Sequence, residues 1–159
     1  YGSQFYPTSL AQKEGYDQII WTDSKNHKFL EEAGTMNIFV RIDDTIITAP
    51  TTDTILDGIT RKSLIRIAKD NNIEVEVRPI SVDEVIEAHH NGRLKEIFGS
   101  GTAVVISEIS GFGYKGKNYN LKDVENSYAS TLRSIITKIQ YNLTEDPYGW
   151  TYEVSPVKV

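Results

Sequence analysis

The apolar residues of this chain follow two spacings, one typical of strands and one typical of helices. Short runs rich in β-branched residues predict strands. These runs are residues 17–23 (DQIIWTD), 37–43 (NIFVRID), 45–50 (TIITAP), 74–80 (EVEVRPI) and 98–109 (FGSGTAVVISEI), the last opening with a glycine-rich turn. Apolar positions three and four residues apart predict helices over residues 3–14, 59–72, 81–90 and 124–141.

Local turn and cap signals separate these elements. Asp43-Asp44 turns the chain, so the strands on either side of it are expected to pair as a hairpin. Ser81 followed three residues later by Glu84 is a capping-box signature that starts the third helix. Strands and helices mix without regular strand–helix–strand alternation, so the sequence predicts an α+β domain over residues 1–159, with mixed sheets and flanking helices.

Composition narrows the functional classes. A chain of 159 residues with 39% apolar and 25% charged residues is typical of one globular domain with a real core. The net charge of −5 argues against a general nucleic-acid binder. No apolar stretch approaches the length of about 20 residues that spans a bilayer, so no membrane association is expected. The opening YGSQFYPTS lacks the features of a secretion signal, and a cytoplasmic location is expected.

Thiol and metal chemistry are both disfavoured. The chain contains no cysteine, which excludes disulfides, thiolate catalysis and cysteine-based metal sites. His89 and His90 are adjacent, so on a helix their rings point in different directions rather than towards one ion. We therefore predict no metal site.

Two stretches have the character of anion sites. Residues 56–61 (LDGITR) open a predicted helix, where free backbone N–H groups and the helix dipole favour a phosphate or carboxylate. The alternative is that Asp57 simply caps this helix. In residues 98–103 (FGSGTA), glycines allow close approach of a ligand and successive N–H groups can form an anion nest. The alternative here is a tight turn before a strand.

A third stretch presents acidic residues beside an apolar run. Glu31 and Glu32 stand just ahead of the strand-like Ile38-Phe39-Val40. A carboxylate at the mouth of a buried strand is costly unless a positive or hydrogen-bonding group meets it. The alternative is a solvated pair of glutamates at a turn, and this is the interpretation that we adopt for Glu31.

Five stretches, taken in order, resemble a known family. They are YDQIIWTD, EEAGTMNIF, ILDGITRKSL, FGSGTAVV and YGWTYEV, and together they extend from Tyr1 to about Val154. They resemble the larger, C-terminal domain of branched-chain amino-acid aminotransferases, which are fold-type IV enzymes of the D-amino-acid aminotransferase-like fold that use pyridoxal 5′-phosphate (PLP). The GTMN form resembles this group more than its relatives, D-amino-acid aminotransferase and aminodeoxychorismate lyase.

The resemblance implies roles for particular residues. Glu32 would face the pyridine nitrogen of PLP, Thr35 would lie beside the cofactor, and Tyr1 would hydrogen-bond its 3′ oxygen. The phosphate would be held by Gly58, Ile59, Thr60 and Thr102. The backbone of Thr102 and Ala103 would bind the substrate carboxylate.

The sequence departs from the family pattern in several ways. Asp57 stands where the family usually has proline, and its charge is expected to weaken phosphate binding somewhat. Val104 and Ser107 replace the Cys-x-x-Cys redox pair of some animal members. In the family, the Schiff-base lysine lies a few residues before the tyrosine matched by Tyr1, and an N-terminal small domain precedes it. Neither is present here, so no catalytic residue is assigned, and the 159-residue chain alone is expected to be inactive and to bind PLP weakly or not at all.

The implied function belongs to a parent protein. It would transfer the amino group of leucine, isoleucine or valine to 2-oxoglutarate, with small amino acids and 2-oxo acids as its partners, and would be a homodimer. Without the small domain, the chain is expected to expose apolar surface. Two alternatives stay open: another fold-type IV PLP enzyme, such as D-amino-acid aminotransferase or aminodeoxychorismate lyase, and a non-catalytic structural or phosphate-binding domain.

Overall fold

The chain folds around one mixed sheet and a separate two-stranded hairpin. The computed structural model describes residues 2–154. The strands are β1 Ile20–Thr22, β2 Leu30–Ala33, β3 Met36–Ile42, β4 Thr45–Thr48, β5 Glu74–Val77, β6 Leu94–Gly101, β7 Val105–Glu108, β8 Gly111–Tyr114 and β9 Lys117–Asn120. The helices are a 3₁₀ turn Gly2–Gln4, then α1 Phe5–Lys13, α2 Ile59–Asp70, α3 Val82–His90 and α4 Tyr128–Gln140. This arrangement confirms the predicted α+β class.

Strand β3 is the centre of the larger sheet. Along one edge it pairs antiparallel with β2 at Met36 and Asn37 and with β4 from Phe39 to Ile42. Along its other edge it pairs antiparallel with β6, which in turn pairs with β7. The predicted hairpin around Asp43-Asp44 is thereby confirmed, and Asp43 takes the left-handed φ of 52° in that turn.

One strand–helix–strand unit interrupts the antiparallel order. The chain leaves β4, forms α2 and returns as β5, which pairs parallel with β4. The sequence patterns did not predict that β4 and β5 pair in parallel. Because α2 connects these two parallel strands, it covers one face of the sheet, and its N-terminus lies near the end of β4.

The glycine-rich stretch is strand rather than turn, which corrects the sequence-based expectation. Gly99-Ser100-Gly101 completes β6, and the turn follows it at residues 102–104. A Cβ atom at Gly99 would lie 2.8 Å from the methyl carbon of Met36 on the paired strand β3. The glycine therefore allows close side-chain packing across two strands instead of reversing the chain.

The two faces of the sheet carry separate apolar clusters. On one face, α3 and the β8–β9 hairpin cover residues such as Ile38 and Ile97. On the other face, α2 and α4 cover Phe39 and Phe98, whose rings stack with centroids 5.1 Å apart. Ser81 caps α3 by accepting a hydrogen bond from the Glu84 backbone N–H, as its spacing predicts.

A buried ion pair anchors α4 to the sheet. Arg41 and Glu96 are paired across β3 and β6, with Nη1 of Arg41 2.8 Å from Oε2 of Glu96. Glu96 also accepts hydrogen bonds from the Ser127 hydroxyl and from the backbone N–H groups of Tyr128 and Ala129. Burial raises the pKa of Glu96, but these hydrogen bonds outweigh it and hold the pKa below its usual value.

Candidate functional site

Three chain reversals lie at the same end of the sheet. Because β3 begins where β6 ends, with Asn37 opposite Ser100, the β2–β3 turn and the β6–β7 turn are neighbours. The β2–β3 turn is Gly34-Thr35, and an added Cβ at Gly101 would contact the Thr35 carbonyl at 3.8 Å. The loop that leads into α2 reaches the same end through contacts with β2 and β3. The three sequence stretches singled out above are therefore brought together.

The start of α2 has open backbone donors. Gly58 is its N-cap residue, and no side chain caps the helix among residues 2–154. The alternative in which Asp57 caps the helix is wrong, because its carboxylate forms an ion pair with Lys62 at 2.9 Å and no side chain of the described residues accepts a capping hydrogen bond. The first-turn N–H groups at Ile59 and Thr60 remain available, and the helix dipole makes this end attractive to an anion.

Leu56 joins this helix start to the sheet through both of its backbone polar groups. The Leu56 N–H donates to Oε1 of Glu32 at 3.0 Å, and the Leu56 carbonyl accepts from Nδ2 of Asn37 at 2.8 Å. Glu32 and Asn37 are themselves register partners across β2 and β3. Asn37, which is 5% exposed, was part of the GTMN motif, but its role as a loop anchor depends on tertiary contacts that the motif does not specify.

Gly58 is required where the loop crosses Asn37. A Cβ atom there would collide with Oδ1 of Asn37. We expect Gly58→Ala to lower the free energy of unfolding by about 1–3 kcal/mol, as overpacking does. Chemical denaturation of this variant is the measurement. Gly2→Ala is the control because, among the described residues and apart from its chain neighbours, no atom lies within 4 Å of a Cβ at Gly2. Adding Asn37→Ala should remove part of the Gly58→Ala penalty, and strictly additive effects would contradict the collision.

The two adjacent glutamates have different surroundings. Both lie within β2, which directly precedes β3, and successive strand residues face opposite sides. Glu31 is half-buried and accepts a hydrogen bond from the Thr54 hydroxyl at 2.8 Å, so its expected placement in a solvated turn is wrong. Glu32 uses Oε1 for the Leu56 N–H and leaves Oε2 without a partner in the described chain. One carboxylate oxygen is thus held while the other is free.

The β6–β7 turn contributes exposed residues and a strained one. Thr102, Ala103 and Val104 form the turn, and all three are exposed. Val105, which follows, has a φ of 59°, a left-handed conformation that β-branched residues rarely adopt. Such strain persists where surrounding structure imposes it and is concentrated at functional sites. No local sequence pattern indicates this conformation of Val105.

The adjacent histidines of α3 are not joined by other described residues in a metal-binding group. Within residues 2–154, no group of three His, Asp or Glu side chains is arranged to hold a metal ion. His89 instead places Nε2 2.9 Å from the Asn120 carbonyl and its ring edge-on to Tyr119. No helix in that part of the chain is both long enough and apolar enough to cross a bilayer. Tyr1 lies outside the described residues, so its expected contact stays a prediction.

The residues present fit a phosphate-bearing cofactor. The uncapped start of α2 supplies backbone N–H donors for a phosphate. Glu32 accepts from the Leu56 N–H through Oε1 and leaves Oε2 free within residues 2–154. This free carboxylate oxygen suits a cationic or N–H donor group. Together these groups suit a ligand that carries both a phosphate and a ring atom with a proton to donate.

The chain belongs to the class IV aminotransferases. The family described as amino-transferase class IV matches residues 1–112. This confirms the resemblance and the fold expected from it. Class IV aminotransferases use PLP, and the donor groups just described suit that cofactor.

Individual relatives agree with this assignment. Branched-chain-amino-acid aminotransferase 2 of Bacillus subtilis is 38% identical over 156 residues, which cover 98% of this chain and 43% of the relative. The branched-chain amino acid aminotransferase of Escherichia coli superposes with a TM-score of 0.72 and 27% identity, covering 89% of this chain and 44% of that chain. An aminotransferase from Brucella abortus bound to PLP has the same fold, with a TM-score of 0.68, 20% identity and coverage of 84% and 42%. The chain spans about two fifths of the length of the curated relatives it matches.

Proposed function

We propose that this chain supplies the ring- and phosphate-binding part of a PLP-dependent branched-chain aminotransferase. The reaction transfers the amino group of leucine, isoleucine or valine to 2-oxoglutarate. The observation that carries the proposal is the pair of backbone hydrogen bonds at Leu56, which link Glu32 and Asn37 to the uncapped start of α2. The similarity to branched-chain aminotransferases over 98% of the chain supports the choice of substrate class.

Each residue of the site has a distinct task in this proposal. Glu32 holds a proton on the ring nitrogen through its free Oε2. The N–H groups of Ile59 and Thr60, beside Gly58, bind the phosphate, and the Thr60 hydroxyl adds a further donor. When bound, PLP supplies the electron sink that amino-group transfer requires.

The β6–β7 turn completes the site in this proposal. Thr102 adds a hydroxyl to the phosphate, and the backbone N–H groups of Thr102 and Ala103 bind the carboxylate of the amino acid. Thr35, which is exposed in the neighbouring turn, borders the cofactor. The strained Val105 fixes the path of this turn.

Assembly is part of the same proposal. Phe5 and Tyr6 of α1 are 73% and 72% exposed, and Leu10 of the same helix is also exposed. Apolar side chains grouped on one short helix favour burial against another surface. We propose that the enzyme is a homodimer, and the absence of cysteine supports a cytoplasmic location.

A substrate comparison with the full-length gene product tests the function. We expect amino transfer to 2-oxoglutarate from L-leucine, L-isoleucine and L-valine, measured as glutamate formed, and none from D-alanine. Activity with D-alanine alone would replace the proposal by a D-amino-acid aminotransferase. PLP binding without transfer from any amino acid would leave a phosphate-binding module. Assaying the 159-residue chain in parallel tests whether the Schiff-base lysine lies before Tyr1, because that chain should then form no glutamate.

A further inference from the structure

Arg61 carries a buried charge for which the chain provides little compensation. It lies in the first turn of α2 and is 5% exposed. Nη2 donates to the Ala49 carbonyl at 2.8 Å, while Nε is buried and has no partner in residues 2–154. Among the described residues, the carboxylate that favours its charged form belongs to Asp57, which is itself paired with Lys62.

The position of Arg61 is beneath the open helix start. Arg61 shares the buried face of α2 with Leu64 and Ala68, which pack on the sheet. Its Cβ lies 3.6 Å from the position of a Cβ at Gly58, the N-cap residue. Its side chain therefore occupies the layer between the first turn of α2 and the sheet.

A second unpaired donor lies in the same layer. Ser100 is 1% exposed, and its hydroxyl has no partner in the described residues. Ser100 follows Phe98 by two residues, and Phe98 faces α2, so both side chains are on the α2 side of the sheet. Two buried donors without partners among the described residues, both on the α2 side of the sheet, indicate that this layer has few acceptors.

Without an anion, this arrangement is electrostatically costly. Burial lowers the pKa of Arg61, which means that its charged form is penalised by its surroundings. The positive end of the helix dipole adds to the penalty, since cations are disfavoured at helix N-termini. A phosphate dianion bound at the same helix start reverses both effects.

We propose that Arg61 is a positioning residue for the phosphate: its buried guanidinium supplies the charge that holds a phosphate at the start of α2. This inference rests on the proposed function, in which Ile59 and Thr60 contact the phosphate directly. Arg61 acts through the electrostatic attraction between its guanidinium and the phosphate. Its hydrogen bond to the Ala49 carbonyl also fixes the first turn of α2. Because linkage is reciprocal, the bound phosphate in turn stabilises the buried charge.

The experiment measures phosphate affinity separately from ring affinity. In the full-length gene product freed of cofactor, we would titrate inorganic phosphate, PLP and pyridoxal, which lacks the phosphate. The variants are Arg61→Gln, which loses the charge but keeps a donor for the Ala49 carbonyl, and Arg61→Lys, which keeps the charge. Arg66→Met is the matched control, because it removes the same charge from an exposed site on α2 that pairs with Asp70.

Arg61→Gln is expected to raise the dissociation constants of inorganic phosphate and PLP about tenfold or more, and that of pyridoxal less than about twofold. Arg61→Lys should recover much of the loss, and Arg66→Met should change none of the three constants. Equal weakening of PLP and pyridoxal would assign Arg61 a structural role only, and unchanged phosphate affinity would overturn the proposal. Failure of the unmodified protein to bind phosphate would instead overturn the proposed function.

A second measurement covers the case in which Arg61→Gln does not fold. The Nε–H resonance of Arg61, assigned by its loss in Arg61→Lys, is followed by NMR while phosphate is added to the unmodified protein. A shift that saturates along the binding curve supports the proposal. A resonance that stays in place while phosphate binds contradicts it.

Discussion

Glu32→Gln is expected to slow amino transfer by the full-length gene product about 10- to 150-fold at saturating substrate. The carboxylate of Glu32 uses only one oxygen within the described chain, for the Leu56 N–H. A neutral amide cannot stabilise a protonated ring nitrogen, so a charge-assisted hydrogen bond of about 1.5–3 kcal/mol is lost. The side-chain carbonyl of glutamine still accepts from Leu56, so the loop stays in place.

Glu31→Gln is a matched control for this experiment. It makes the same chemical change one residue away, on the opposite side of β2, where Glu31 accepts from the Thr54 hydroxyl. We expect its kcat to stay within about twofold of the unmodified protein, as for surface changes away from special features. Equal losses in the two variants, or an active Glu32→Gln protein, would remove Glu32 from the ring-nitrogen role.

Arg41→Met is expected to lower the free energy of unfolding by about 3–5 kcal/mol, the largest stability effect predicted here. The guanidinium of Arg41 contacts Glu96, donates to the Asn126 and Asp43 carbonyls, and stacks 3.6 Å from the ring centroid of Tyr128. Methionine keeps an unbranched apolar side chain about as long as the aliphatic part of arginine but leaves Glu96 buried without its cation. Urea denaturation followed by circular dichroism measures the change.

An exposed ion pair provides the comparison. Arg93→Met breaks the pair with Asp43, whose side chains are 58% and 50% exposed, and should cost less than about 1 kcal/mol. Because the pKa of Glu96 is lowered in the folded protein, the free energy of unfolding should also depend on pH in the acid range. The stabilisation that its depressed pKa represents is present above its unfolded-state pKa and is lost as pH falls through its folded-state pKa, and Arg41→Met should reduce this loss. Similar costs for Arg41→Met and Arg93→Met would contradict the anchoring role.

Features set by neighbouring residues in sequence were predictable. The Ser81 cap of α3 and the Asp43-Asp44 hairpin depend on side chains within four residues of the backbone groups that they serve. Helix α2 was expected over residues 59–72 and forms Ile59–Asp70, because its apolar spacing identifies the buried face. Boundaries of weak elements were less accurate: β1 covers only Ile20–Thr22 of the expected residues 17–23.

Features set by distant residues were not predictable. Glycines usually signal a turn, but Gly99 lies in a strand that pairs with β3, and Met36, far away in sequence, occupies the space beside it. Asp57 has the chemistry of a helix cap, yet Lys62 engages it and Gly58 takes the cap position. The parallel pairing of β5 with β4 also depends on how α2 packs, which local patterns do not report.

The same division applies to the site. The motifs supplied Glu32, Thr60 and Thr102 through resemblance, and the structure places the stretches that contain them at one end of the sheet. The partnership of Asn37 with Leu56 and the isolation of Arg61 are properties of the folded packing. A signal for Arg61 existed in the sequence, since an arginine three residues into an amphipathic helix, on its apolar face, is unusual.

The two hydrogen bonds that hold the backbone of Leu56 limit how the length of this connection can vary between relatives. Residues 51–54 are exposed, so insertions and deletions there change the length of the connection without disturbing the sheet. From Leu56 to Gly58, however, the backbone is fixed at both ends, and one added residue would change the separation between Glu32 and the start of α2. Length variation in this connection should therefore be confined to the side before Leu56, while the three residues that follow keep a constant spacing.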